Sequence, residues 1–172
     1  MALVRAPGLG PAGFSALLAR CGSVAEIFSA ASRDLSGLGL TEETRAWLKS
    51  PDWTAAEKDL RWLESSGASL LPITDSSYPE LLKQIPDPPI VLFLRGNENL
   101  LASPQLAMVG SRNPSGEGRR NAEEFAAYLA RCGLAIVSGM ALGIDAASHR
   151  GALRANGATL AVWGTGLDKV YP

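Results

Sequence analysis

The hydrophobic pattern of this chain changes period once along its length. In the first part, apolar residues recur at helical spacing. Phe14, Leu17, Leu18 and Cys21 fall at i, i+3, i+4 and i+7, one face of a helix. Pro11 suits the first turn of that helix and Gly22 suits its stop. Val24, Ile27 and Phe28 mark a second short helix, and Thr41-Glu42-Glu43-Thr44 opens a third that ends at Ser50-Pro51. Residues 51–66 predict a fourth, with Trp53, Leu60 and Leu63 as inward anchors. From Ala68 the apolar runs become short and continuous. ASLLPITD and IVLFLRG read as strands, separated by proline-bearing turns at Tyr78-Pro79 and Pro86-Asp87-Pro88-Pro89.

Further on, strands and helices alternate. Leu106–Val109, Ala135–Val137 and Thr159–Trp163 read as buried strands. Residues 116–132 predict a helix with Ala122, Phe125, Ala126, Leu129 and Cys132 on one face, and a second helix runs from Asp145 to about Ala155. Such alternation means βαβ units, hence an α/β class with a parallel sheet. The change of period places an all-helical domain at 1–66 and the α/β domain at 67–172.

Composition narrows the partners. Of 172 residues, 47% are hydrophobic and 19% charged, enough apolar material for a core and too little charge for disorder. The net charge of −1 excludes a broadly basic surface, so any grip on nucleic acid must be local. The longest run of large apolar residues is Ile90 to Leu94, far short of the ~20 residues that span a membrane. The first residues lack a signal-peptide layout, so a cytoplasmic protein is expected. Cys21 and Cys132 are far apart and His149 is the single histidine, so reduced thiols are expected, with neither a metal nor a cofactor.

Each strand of the second half runs into a small-residue turn: Gly110-Ser111-Arg112, Ser138-Gly139-Met140 and Gly164-Thr165-Gly166. Gly110, Gly139 and Gly164 are 29 and 25 residues apart, about one βαβ unit each. In a parallel sheet all three turns lie on the carboxyl edge, where open α/β sheets bind ligands. Glycine allows close approach to the backbone, amides at a following helix start favour anions, and Arg112 adds a charged fork suited to phosphate. Ser111, Ser115, Ser138 and Thr165 add hydroxyls, and Lys169 is close in sequence to the third turn. The loop GSRNPSGEG is not G-x-G-x-x-G, and no Gly-Lys-Ser/Thr follows it, so the dinucleotide and ATP fingerprints are not met at this edge. Residues 108–172 hold seven basic and five acidic side chains, which suits a small phosphate site better than a long basic groove.

MVGSRNPSGEG, IVSGMALGIDAASHRGAL and GATLAVWGTGLDKVYP, in that order, resemble the DNA-processing protein A family (DprA, also called Smf), with YPELLKQIPDPPIVLFLRGN as its lead-in. The resemblance implies a Rossmann-like parallel sheet with helices on both faces, preceded by a small helical domain of the sterile-alpha-motif-like or helix-hairpin-helix-like type. It implies a protein that binds and protects single-stranded DNA, helps load the RecA recombinase in natural transformation, dimerises and catalyses no reaction. The family's phosphate-binding loops map onto Gly110, Ser111 and Arg112, then Ser138 and Gly139, then Gly164, Thr165 and Gly166. Family members continue past Tyr171-Pro172, often into a winged-helix domain, so the chain reads as a truncated member.

Other readings stand beside this one. The PGLGP turn at Gly8 to Gly10 would either hold a DNA phosphate or simply join two helices. Asp145 and His149, four apart on one helical face, are either an acid/base pair or a helix cap with a neighbouring hydrogen bond. A nucleotide-processing enzyme of a related fold is the alternative function, although the P-G-G-x-G-T-x-x-E motif of the lysine-decarboxylase-like hydrolases is absent. A module that contacts a recombinase without binding DNA is the third.

Overall fold

The structure is a computed structural model and describes residues 1–30, 35 and 37–170. Tyr171 and Pro172, which close the third motif, lie outside the described residues. The chain divides into two compact units, Met1–Gly96 and Asn97–Pro172.

The first unit opens with a 3-10 turn, Ala2–Arg5, and four helices: α1 (Pro11–Cys21), α2 (Val24–Ala30), α3 (Glu42–Lys49) and α4 (Trp53–Ser66). The Thr41 hydroxyl accepts from the amide of Thr44 and the Asp52 carboxylate from that of Ala55, which satisfies first-turn amides of α3 and α4. Leu3, Phe14, Leu17, Ile27, Leu35, Leu40 and Leu48 form the core. Gly8, at φ +69°, lies against the Thr41 and Thr44 hydroxyls. The amides of Leu9 and Gly10 bond to the carbonyls of Ala6 and Gly8, so this turn uses its amides internally and has a structural job. Helix α4 buries a narrow stripe through Ala56 and Leu63. Trp53 and Leu60, seven apart on the flank of that stripe, are 51% and 45% exposed, against expectation.

Strands β1 (Ser69–Pro72) and β2 (Val91–Leu94) pair antiparallel with each other, Ser69 opposite Leu94, with the short α5 (Glu80–Lys83) between them. Just past the paired strands, the Ile73 amide donates to the Ile90 carbonyl, and both side chains pack on the helical core. The period of the sequence changes near residue 67, but these strands fold back onto the helices, and the compact unit therefore runs to Gly96.

The second unit contains a 3-10 turn (Glu98–Ala102), β3 (Gln105–Ala107), α6 (Gly116–Arg131), β4 (Ala135–Ser138), α7 (Ile144–Arg154) and β5 (Thr159–Ala161). The sheet order is β3-β4-β5 and both pairings are parallel, with Leu106 opposite Ile136 and Val137 opposite Leu160. This is the α/β class that the alternation predicts. Both crossovers step the same way across the sheet, and right-handed crossovers then deliver both helices to one face. There α6 and α7 pack against each other and on β4. Among the described residues of this unit no helix covers the other face. Leu106 and Val109, expected in a buried strand, are accordingly 37% and 80% exposed.

The α6–α7 contact also reverses an expectation. Phe125 is 62% exposed and Cys132 is exposed, while Ala122, Ala126, Ala127 and Ala130 are buried. A Cβ added at Gly151 of α7 would stand 2.8 Å from the Ala126 Cβ. Backbones that close admit only small side chains, so the alanine stripe faces inward and Phe125 is turned out.

Candidate functional site

Because β3, β4 and β5 run parallel, the turns that follow them open on one edge. A cavity of about 280 Å³ lies there, lined by Arg112, Gly139, Met140, Ala141, Asp145, Val162, Trp163, Gly164 and Thr165. All three turns contribute to it.

The cavity is held open by interlocked backbone. Gly143, at φ +88°, precedes α7, and a Cβ there would fall 2.6 Å from the Arg112 carbonyl oxygen. The next amide, Ile144, donates to the Ser111 carbonyl at 3.1 Å. A Cβ at Gly110 would meet Ile144 at 2.7 Å. The first turn is thus seated against the start of α7, and two glycines are what permit the approach.

The second turn is tied in by His149. Its Nε2 lies 2.7 Å from the Gly139 carbonyl, which only accepts, so Nε2 carries a proton. Its Nδ1 lies 2.7 Å from the Thr159 hydroxyl at the start of β5. The Asp145 carboxylate accepts from the Ala141 amide at 3.4 Å, ahead of α7. Both residues therefore scaffold the edge, and His149 turns neither nitrogen toward Asp145.

Of the residues singled out in the sequence, Arg112, Gly139, Gly164 and Thr165 line the cavity. Arg112 is exposed and makes no ion pair among the described residues. Gly110 and Ser111 lie behind the lining, in the seat against α7, and the Ser111 hydroxyl accepts from the Asn113 amide. Ser115 caps α6 by accepting from Gly118. Ser138 corrects the expectation of a ligand donor: it is 3% exposed and its hydroxyl donates to the Met108 carbonyl at 2.6 Å. Its single proton is committed to bracing β4 against the turn after β3. Gly166 and Lys169 are not part of the lining, and Lys169 pairs with Asp168 at 3.1 Å.

Sequence reasoning missed Trp163 and Val162 in the wall, the place of Asp145 in it, and the role of Gly143. Two signals were legible: Trp163 directly precedes the third turn, and Gly143 directly precedes a helix. Among the described residues no group of His, Cys, Asp and Glu is placed to hold a metal ion. No helix among them is long and apolar enough to cross a membrane.

A family model described as DNA recombination-mediator protein A matches residues 69–172. The chain belongs to this family. The match begins with the first residue of β1, so the DNA recombination-mediator protein A region takes in the hairpin as well as the three-stranded α/β unit. The Smf protein of Escherichia coli K12 is 40% identical over 139 residues, which are 80% of this chain and 37% of that protein. The structure of DprA from Streptococcus pneumoniae superposes with a TM-score of 0.77 at 32% identity, over 99% of this chain and 58% of that one. That of Helicobacter pylori DprA, described for its single-stranded DNA binding mode, gives 0.52 at 31% identity, over 61% of this chain and 46% of that one. The chain thus spans little more than a third of the Smf protein it matches.

Proposed function

We propose that this chain is a single-stranded DNA-binding module of a recombination mediator, which protects unpaired DNA and helps to load the RecA recombinase onto it. The observation that carries the reading is Arg112: an exposed guanidinium without an ion-pair partner among the described residues, at a cavity to which the turns of Gly139 and Gly164 also contribute. A guanidinium fork and close backbone approach suit the sugar-phosphate chain irrespective of base. The relationship to the Helicobacter pylori protein, whose structure concerns single-stranded DNA, supports the same ligand. Gly110 and Ser111 act by placing Arg112, and Lys169 contributes at most a peripheral charge. Binding rather than catalysis is inferred because both nitrogens of the single histidine are engaged in the scaffold.

The test is a titration of oligo-dT with Arg112→Ala. A charge-assisted contact is worth about 1.5–3 kcal/mol, so affinity should fall tenfold or more and the salt slope by about one phosphate. Wild-type affinity in a folded Arg112→Ala chain overturns the reading. Capture of RecA with and without DNA, and sedimentation of the chain, test the recombinase partner and the homodimer.

A further inference from the structure

Helix α6 buries one side and leaves the other to solvent. Its alanine stripe, Ala122, Ala126, Ala127 and Ala130, is buried where the helix packs on α7 and β4. At about 100° per residue, Asn121, Glu124, Phe125, Tyr128, Arg131 and Cys132 fall together on the opposite side. All six are exposed, Phe125 by 62% and Tyr128 by 61%. Exposed apolar patches mark surfaces that meet other proteins, and aromatic side chains are enriched there. A groove of about 420 Å³, lined by Asn121, Glu124, Phe125 and Tyr128, offers a seat to a partner's ring. Neither Glu124 nor Arg131 makes an ion pair among the described residues, whereas the neighbouring Glu123 is paired with Arg154. Glu124 and Arg131 lie about 10 Å apart along their own helix, too far to suit one another.

We propose that this face docks on the same face of a second copy of the chain, with the two α6 helices antiparallel. The charges select both the occupant and the register. In a two-fold pair, residue i meets j and j meets i. An axis passing between Ala127 and Tyr128 brings Glu124 of each copy opposite Arg131 of the other. The same axis sets the two Tyr128 rings side by side and places Phe125 within about 3 Å, along the helix, of Cys132 in the other copy. The apolar residues and the opposite charges thus share one centre. Setting Glu117 opposite Arg131 instead would centre the axis on Glu124 and turn that carboxylate on its own copy, so this register is disfavoured. Antiparallel packing also puts the positive end of one helix beside the negative end of the other. Glu117 and Glu124 against Arg131 leave the face acidic, which repels a phosphate backbone. The stretch from Asn121 to Cys132 is about 17 Å long on a helix about 10 Å wide, so each copy covers far less than the ~800 Å² of a standard interface. The pairing is therefore weak, with a dissociation constant on the order of 100 µM, and forms where copies are concentrated. Helix α6 starts at the carboxyl edge of the sheet and returns the chain to the amino edge, so a face centred on its last turns lies away from the cavity. Each copy of a pair keeps its own cavity open.

The experiment is sedimentation equilibrium of the 172-residue chain without DNA, so its outcome is separate from the DNA reading above. Between about 10 µM and about 1 mM the average mass should rise from one copy towards two. Glu124→Arg alone and Arg131→Glu alone each set like charges together at both ends of the pair, so each should weaken association about tenfold or more. An equimolar mixture of these two variants restores an opposite-charge contact at both ends. It should associate within about threefold of the wild type, and so should a chain carrying both substitutions. The replaced side chains are exposed, and circular dichroism checks that each variant keeps its helices. A wild type that remains a single copy at the highest concentration refutes the pairing. Single variants that associate like the wild type refute it too, since the copies would then meet through another surface. Single variants whose mixture stays apart refute the contact between Glu124 and Arg131 and with it the register.

Discussion

Replacing Gly143 by alanine should unseat the turn that carries Arg112. At φ +88° an L-residue is strained, at a cost of about 1–3 kcal/mol. The new methyl would also lie 2.6 Å from the Arg112 carbonyl oxygen and 2.7 Å from its carbonyl carbon, and against the Ser111 carbonyl. These are backbone atoms, so the whole turn has to move. The Ile144–Ser111 hydrogen bond then weakens, which adds about 1 kcal/mol. The sum is a destabilisation of about 2–4 kcal/mol, a large part of the 5–15 kcal/mol typical of a folded domain. Urea denaturation followed by circular dichroism should show the midpoint falling by about 1–2 M at an unchanged slope. Oligo-dT affinity, measured without denaturant, should fall as well, because Arg112 is displaced from the turns of Gly139 and Gly164. Gly164→Ala is the control: a Cβ there meets nothing within 4 Å, and its φ is not positive. Its midpoint should stay within ~0.5 kcal/mol of wild type, the usual range for open sites. A Gly143→Ala chain that unfolds at the wild-type midpoint would falsify the interlock.

Three further outcomes follow from the structure. Ser138→Ala removes a buried bond to the Met108 carbonyl and should cost about 1–2 kcal/mol while leaving oligo-dT affinity unchanged; weaker binding at unchanged stability would return Ser138 to the set of ligand donors. Gly151→Ala gains up to ~1 kcal/mol of helix propensity but drives a methyl against the Glu123 carbonyl and the Ala126 Cβ, so a clear net loss in thermal midpoint is expected, and a gain would show that the helices can separate cheaply. In the first unit, Arg5 holds the Asp59 carboxylate with bonds of 2.6 and 2.8 Å and keeps its pKa below the ordinary value. Unfolded Asp59 binds a proton more readily than folded Asp59, so the pair stabilises above about pH 4 and the contribution fades as pH falls through the folded value. Arg5→Ala should therefore lower stability by at most ~1 kcal/mol at pH 7 and by less at pH 3; an equal loss at both would point to lost packing instead.

The local chemistry of the chain determined a good deal by itself. Helical spacing in the first 66 residues, the cap at Thr41 and the strand–helix alternation after residue 100 are properties of neighbouring residues, so they were legible before any fold was known. The carboxyl edge was legible too, because parallel strands must finish together, and with it the meeting of Arg112 with Gly139 and Gly164. Tertiary structure decided what depends on distance between distant segments. Phe125 looks like a core residue by period and is exposed, because α6 and α7 approach closely enough to admit only alanine and glycine. Ser138 looks like a ligand donor by position and is buried, because the Met108 carbonyl lies beside it. Gly143 and Trp163 acquire their roles only once the turn after β3 is laid against the start of α7 and the end of β5 is brought alongside. Sequence fixes which groups a turn carries, since that is covalent; which of them face a ligand is settled by packing, since a donor already paired inside the protein has nothing left to offer.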